Sequence, residues 1–162
     1  MSKNSKSAVR QRALTRLMAV QIFYQYDFLY REKTLEQIKD DVIENYALDF
    51  ESDLCSYRDQ IIEGFLNDLI LGLSLNITNI DEEITEFLKG DWSLDQIDDI
   101  TRQIVRLGVF ELKFMLDVPA KVVIDQYCDI TGSFFDKKKV TFVNATLENV
   151  AKKVRAKEFA TT

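Results

Sequence analysis

The stretch VRQRALTRLMAVQIFYQYDFLY, residues 9–30, decides the fold. Its apolar side chains recur every three or four residues, which predicts one long amphipathic helix. The face expected to be buried carries five residues with two more at its edges: Leu14, Leu17, Gln21, Tyr24 and Phe28, then Met18 and Ile22. A second face repeats Arg12, Arg16, Ala19 and Phe23. We therefore expect a helix that packs on one side and presents cations, then an aromatic ring, on another.

The start of this helix is basic. Between Met1 and Arg16 the chain has no acidic residue and five basic ones: Lys3, Lys6, Arg10, Arg12 and Arg16. Cations are unfavourable near the positive end of a helix dipole, so a bound anion such as phosphate would offset the cost. An ordinary solvated helix start explains the same pattern. Gln21 also has two possible roles: it is either a core glutamine that is hydrogen-bonded to the backbone, or a residue that reads a nucleic-acid base.

The composition indicates a globular, all-helical protein. The chain has 162 residues, of which 46% are hydrophobic and 30% charged, and a core of useful size is possible. One proline and five glycines are too few for the many tight turns of an all-β fold. Lys89-Gly90-Asp91 is the best boundary, which predicts an N-terminal subdomain over residues 1–90, with the basic arm and helix, and a C-terminal subdomain over residues 91–162.

Capping and breaking residues predict the individual helices. Thr34 to Gln37 and Ser93 to Gln96 have the spacing of capping boxes, and Pro119 suits the first turn of a helix. Gly64 lies inside a predicted helix, where it favours close packing against a neighbour. In the N-terminal part we predict a loose arm over residues 1–7, the first helix, a second helix after Thr34 that is interrupted at 49–53, a third helix over 53–72, and a fourth over 80–89 that Asn79 caps. In the C-terminal part we predict a helix from Ser93 to about Leu116, one from Pro119 to Gly132, a loop over 133–139, and a last helix over 140–155.

The charges are segregated along the chain. The net charge is −6, but residues 27–53 hold nine acids and three bases, whereas residues 137–157 hold seven bases and one acid. If the two basic ends meet in the fold, they form a positive patch that the net charge conceals.

Catalytic and metal-binding patterns are missing from the sequence. There is no histidine, no Gly-rich phosphate loop and no nucleophile elbow, and the paired acids, such as Asp98 and Asp99, fit solvated helix faces. Cys55 and Cys128 form no CxxC motif, which favours reduced thiols. No apolar run is long enough to span a bilayer. We expect a cytoplasmic protein that is not an enzyme and that needs no metal or cofactor.

Five motifs in order suggest a family. They are Arg12-x-x-x-Arg16-x-x-Ala19-x-Gln21-x-Phe23-Tyr24, Tyr57-Arg58-Asp59 before Gly64, Arg106-Leu107-Gly108-Val109-Phe110-Glu111-Leu112, Val118-Pro119-x-Lys121-Val122-x-Ile124, and Phe142-Val143-Asn144-Ala145-x-Leu147-Glu148. Together they cover about residues 10–153, and the chain resembles the NusB family of bacterial transcription antitermination factors.

The resemblance implies an all-α fold of two packed helical subdomains, with about seven helices and no enzymatic activity. It implies binding of the single-stranded boxA element in nascent ribosomal RNA together with the small-subunit ribosomal protein NusE, within the RNA polymerase antitermination complex. The RNA-binding residues it implies are Arg10, Arg12, Arg16, Gln21, Phe142 and Asn144. Lys137, Lys138 and Lys139 lie just before Phe142 and would add charge for phosphates.

The resemblance places Tyr24 at the NusE interface; the alternative role for Tyr24 is packing between the subdomains. For Phe142 the alternative to RNA binding is an ordinary core residue. Thr101 stands where the family commonly has an acid that contacts NusE, and Asp98 or Asp99 could substitute for it. Ala145 replaces a family glycine and Thr141 a basic residue.

Two other functions fit the same sequence. One is a protein adaptor whose basic ends bind an acidic protein. The other is the NusB-like RNA-recognition domain of a ribosomal RNA methyltransferase, which would require the chain to be part of a longer protein. The sequence leaves open whether the free protein forms a homodimer.

Overall fold

The structure is a computed structural model that describes residues 3–49, 61–90 and 92–160, with side chains from residue 8 to 45 and throughout the two later ranges. Every regular element in these ranges is helical, which confirms the all-α prediction. The α-helices are α1 (Lys3–Leu29), α2 (Leu35–Asp49), α3 (Glu63–Thr85), α4 (Asp99–Phe114), α5 (Ala120–Phe134) and α6 (Lys137–Val154). Two short 3-10 helices, Leu94–Gln96 and Ala156–Phe159, complete the described elements.

The chain divides into two compact units, Met1–Leu71 and Gly72–Thr162. Helix α3 contributes residues to both units. The subdomains that the sequence predicts, residues 1–90 and 91–162, stay a prediction.

In the first unit, α1 packs against α2. The predicted capping box at the start of α2 is present: Thr34 N donates to Gln37 Oε1 at 2.9 Å, and Gln37 N donates to Thr34 Oγ1 at 3.1 Å. Ile38 and Val42 of α2 are buried as expected. This reciprocal cap fixes where α2 begins.

The buried face of α1 is only partly the predicted one: Met18 and Ile22 are fully buried as expected, but other residues differ. Ala19 and Phe23, expected on the second face, are fully buried, whereas Tyr24 and Phe28 are 38% and 59% exposed. Both faces of this helix carry apolar side chains at helical spacing, so periodicity alone does not select the buried one. The helix also begins at Lys3, so the prediction of a loose arm over residues 1–7 is wrong for residues 3–7.

In the second unit, α4, α5 and α6 all pack against one another. Two glycines allow close approach. A Cβ at Gly72 would lie 2.1 Å from Phe110 Cζ, and one at Gly108 would lie 2.7 Å from Leu147 Cδ2. At Gly64, by contrast, a Cβ would have no neighbour within 4 Å, so the predicted close packing there is wrong.

Arg155 closes the C-terminal end of α4. Its buried guanidinium donates to the carbonyl oxygens of Glu111 at 3.0 Å, Leu112 at 2.8 Å and Met115 at 2.9 Å, and also to that of Val118. These carbonyls lie at or just beyond the helix end, where intrahelical partners run out. One side chain therefore ties the end of α6 to the end of α4.

Several predicted helix ends are corrected. Asn79 caps no new helix, because α3 runs on to Thr85. Ser93 to Gln96 closes only a 3-10 turn, and α4 begins at Asp99. Helix α5 continues past Gly132, and α6 begins at Lys137, so the lysine run is a helical turn and no loop. The predicted helix 53–72 is wrong at residues 61–62, because α3 begins at Glu63, and at Gly72, because α3 continues to Thr85. The predicted helix start at Asp53, the interruption after Asp49, the motif at 57–59 and Cys55 lie outside the described residues.

Candidate nucleic-acid interface

The three predicted RNA-binding arginines of α1 have different environments. Arg10 and Arg12 are exposed, but Arg16 is only 2% exposed. The guanidinium carbons of Arg12 and Arg16 lie 5.4 Å and 5.1 Å from the centroid of the Phe65 ring. Arg16 has almost no contact with solvent, so its contact with RNA stays a prediction, whereas the side chains of Arg10 and Arg12 are exposed.

Farther along α1, Gln21 is half-buried and Tyr24 is exposed. The Tyr24 ring meets the Phe28 ring edge to face, with centroids 5.4 Å apart and planes at 74°. Both rings keep a large accessible surface, contrary to their predicted burial. This exposed aromatic pair is the kind of surface that protein interfaces enrich.

The first turn of α6 carries the lysine run. Asp136 is the N-cap, and its carboxylate accepts from Lys139 N. Lys137 and Lys138 are exposed. The Lys139 ammonium, however, lies 2.6 Å from Asp98 Oδ2 and 5.2 Å from the centroid of the Phe135 ring. Two of the three lysines are therefore open to a ligand, and the third holds α6 to the start of α4.

The predicted partner-binding residues Asp98, Asp99 and Thr101 form the start of α4. Asp98 is the N-cap: its carboxylate accepts from Thr101 N at 2.9 Å and from Thr101 Oγ1 at 2.7 Å. Asp99 pairs with Arg102 at 3.0 Å. Burial raises the pKa of Asp98, but the hydrogen bonds from Lys139 and Thr101 outweigh it and lower this pKa below 3.8. Thr101 is fully buried, so its side chain serves the helix start; contact of Asp98 and Asp99 with a partner stays a prediction.

Phe142 and Asn144 do not share a site. They are two residues apart on α6, which places them about 200° apart around the helix axis. Phe142 lines a groove of about 420 Å³, whereas Asn144 lines two others of about 390 and 440 Å³. The Asn144 grooves include Asp125 and Glu148, whose charges repel phosphate.

The described ranges contain one cysteine, Cys128, and acidic side chains as potential metal ligands. No group of three or more His, Cys, Asp or Glu side chains there could hold a metal ion. Cys128 is half-buried, and burial together with the nearby Asp125 and Asp129 raises the pKa of its thiol to about 11. The thiol is therefore protonated at neutral pH and is a poor nucleophile.

The sequence model of the NusB family matches residues 13–152 of this chain. The chain belongs to the NusB family. Two similar relatives carry the name transcription antitermination protein NusB. The one from Nitrobacter hamburgensis is 32% identical over 98% of this chain and 96% of its own length. The one from Rhizobium leguminosarum is 35% identical over 90% of this chain and 88% of its own.

Solved structures show the same fold. A NusB from T. maritima has a TM-score of 0.69 at 29% identity, and the alignment covers 93% of this chain and 96% of that one. A crystal structure of the antitermination factors NusB and NusE in complex with dsRNA also has a TM-score of 0.69, at 24% identity over 89% and 98% of the two chains. At that identity the second likeness concerns the fold alone. Among the described helices, none has both the length and the apolar character needed to traverse a bilayer.

Sequence reasoning missed one residue in this NusB-family chain. Trp92 is 57% exposed and lines the same groove as Phe142. It follows Gly90, whose positive φ of 65° turns the chain after α3, and Trp92 N donates to Lys89 O at 3.4 Å. The signal available in the sequence was that the single tryptophan of the chain lies two residues after Gly90 and outside any apolar repeat.

Proposed function

We propose that this chain is a transcription antitermination factor of the bacterial cytoplasm that binds boxA-type single-stranded RNA in nascent ribosomal transcripts. In this proposal it binds the RNA together with NusE, joins the RNA polymerase antitermination complex, and catalyses no reaction. The observation that carries the proposal is the family match over residues 13–152, together with relatives named transcription antitermination protein NusB.

The exposed cations of α1 support the RNA part of the proposal. The first turn of α1 has no acidic residue, and Asp27 is the first acid of the helix. Arg10 and Arg12 face solvent, and the guanidinium plane can contact phosphate oxygens or stack on a base. The charges of Arg10 and Arg12 have no acidic residue near them in this part of α1, and this favours an anionic ligand.

The exposed aromatic pair supports the NusE part. Tyr24 and Phe28 would leave a sizeable apolar surface in water if nothing covered them. Tyrosine and phenylalanine are enriched at protein interfaces, where they supply contact area at low entropic cost. We assign this pair to the contact with NusE.

Charge reversal tests the RNA part. Arg12→Glu should weaken binding of a fluorescein-labelled boxA RNA at least about tenfold, because it replaces an attraction to phosphate by a repulsion. Lys157→Glu is the matched control, since it makes the same charge change at an exposed position near the other end of the chain. Fluorescence anisotropy measures both affinities. Equal losses for the two variants would mean that only net charge matters and would contradict the assigned site.

A tyrosine pair tests the NusE part. Tyr24→Ala should weaken binding of labelled NusE about fivefold or more, as loss of an interface aromatic does. Tyr30→Ala removes a tyrosine that lies just after the end of α1 and is 53% exposed, against 38% for Tyr24, and it should leave NusE affinity unchanged. Unchanged affinity in Tyr24→Ala would place NusE elsewhere on the chain.

A further inference from the structure

The groove next to Phe142 is apolar and is lined by aromatic rings. It has a volume of about 420 Å³ and is lined mostly by carbon atoms from Phe87, Leu88, Trp92 and Phe142. The Trp92 ring stands at its wall and is 57% exposed. Three aromatic side chains, those of Phe87, Trp92 and Phe142, therefore face the same space, and Trp92 keeps more than half of its surface exposed to water.

The polar side chains around the groove favour an anionic ligand. Lys89 lies on its lining, as do the neutral hydrogen-bonding groups of Thr141 and Asn149. Among its described lining residues none is acidic, although the chain as a whole has a net charge of −6. Lys138 is exposed one helical turn before Phe142, on the same face of α6.

The neighbouring grooves on α6 differ from the Phe142 groove because acidic side chains line them. The two grooves that Asn144 lines contain Asp125, Asp129, Glu148 and Glu158. A nucleic-acid strand on α6 would meet cations and rings on the Phe142 side and carboxylates on the Asn144 side. The charge difference thus selects the Trp92 side for RNA.

We propose that the groove between Trp92 and Phe142 binds one unpaired base of a single-stranded RNA, with Lys89 directed at the adjoining phosphate. Proteins that bind single strands combine cations for the backbone with aromatic faces for exposed bases, and this groove supplies both within a few residues. An apolar protein side chain would use the rings but would gain nothing from the lysines. The inference rests on the proposed function and adds Trp92 to it as a base-stacking residue.

The single tryptophan makes the inference directly measurable, because all tryptophan emission of the chain comes from Trp92. Titrating the full-length protein with boxA RNA should quench this emission and protect it from iodide, with the same midpoint as the anisotropy of labelled RNA. RNA that binds by anisotropy while Trp92 emission and iodide access stay constant would overturn the inference but leave the proposed function standing. A wild type that binds no boxA RNA would refute both.

Substitutions identify the occupant of the groove. Trp92→Ala should weaken RNA binding about 5- to 140-fold, the range for loss of one stacked base, and Trp92→Phe should restore much of it. Phe114→Ala, which removes another exposed ring of the same unit, is the control and should have little effect. An abasic nucleotide at the stacked position should weaken binding to wild type but cause no further loss in Trp92→Ala. Trp92→Ala that weakens NusE binding in the absence of RNA, while RNA affinity is unchanged, would make the groove a protein site and overturn the inference.

Discussion

Arg12 and Arg16 are one helical turn apart, and both guanidinium groups lie over Phe65, yet the structure predicts opposite consequences for their removal. Arg16→Ala should destabilise the fold because Arg16 is 2% exposed, whereas Arg12→Ala should change RNA affinity with little change in stability.

The magnitude follows from the contacts. A desolvated cation–π contact is worth about 2 kcal/mol, and loss of two buried methylenes of the stem adds about 1.6 kcal/mol, so Arg16→Ala should cost about 3–4 kcal/mol. The exposed contact of Arg12 is worth about 0.5–1 kcal/mol. For a chain of this size, each kcal/mol lowers Tm by about 2–4 °C. We expect a decrease of about 6–16 °C for Arg16→Ala and of at most about 4 °C for Arg12→Ala.

Thermal unfolding followed by circular dichroism at 222 nm measures both variants under one condition, and anisotropy with boxA RNA at a temperature where both are folded measures affinity. Arg12→Ala should lose more affinity than Arg16→Ala. Equal decreases in Tm, or an Arg16→Ala protein with wild-type stability and no RNA binding, would refute the division of roles between the two arginines.

Two further predictions concern stability in the second unit and at the start of α3. Gly72→Ala should lower the free energy of unfolding by about 1–3 kcal/mol, since its Cβ would lie 2.1 Å from Phe110 Cζ. Gly64→Ala should raise the free energy of unfolding by about 0.4–1 kcal/mol, because the new methyl group would have open space around it. Urea unfolding compares the two variants, and a stabilised Gly72→Ala protein would contradict the close packing at Gly72. The folded-state pKa of Asp98 is lowered, so its ionised form contributes stability above its ordinary value of 3.8, and this contribution is lost as the pH falls through the lowered pKa. The stability difference between wild type and Asp98→Asn in urea should therefore shrink below about pH 4, and a difference that grows with acid would have the wrong sign.

Local signals in the sequence predicted what depends on neighbours in the chain. The capping box Thr34 to Gln37 places the start of α2 correctly because both hydrogen bonds are made within four residues. The helical period of residues 9–30 likewise fixed α1 as a helix. Which face of α1 is buried was not fixed locally, because apolar side chains recur on two faces and the choice depends on tertiary contacts.

The remaining differences come from contacts that are distant in the sequence. Arg16 packs over the ring of Phe65, and the sequence of residues 9–30 alone does not predict this contact. The lysine run was predicted to lie in the loop that follows a helix end at Gly132, but Asp136 caps a helical turn there and Asp98 of another element neutralises Lys139. The family resemblance implied that Phe142 and Asn144 both bind RNA, whereas the continuous helix α6 directs the two side chains to opposite sides.

The measurement that tests the central claim most directly is the affinity of the wild type for boxA RNA and for a scrambled RNA of equal length, with and without NusE, over a series of salt concentrations. The account predicts tighter binding of boxA, a further gain when NusE is present, and an affinity that falls with salt by a slope of roughly −0.7 per phosphate contacted. Equal and weak binding of both RNAs, unchanged by NusE, would contradict it and would turn attention to an adaptor that binds acidic proteins.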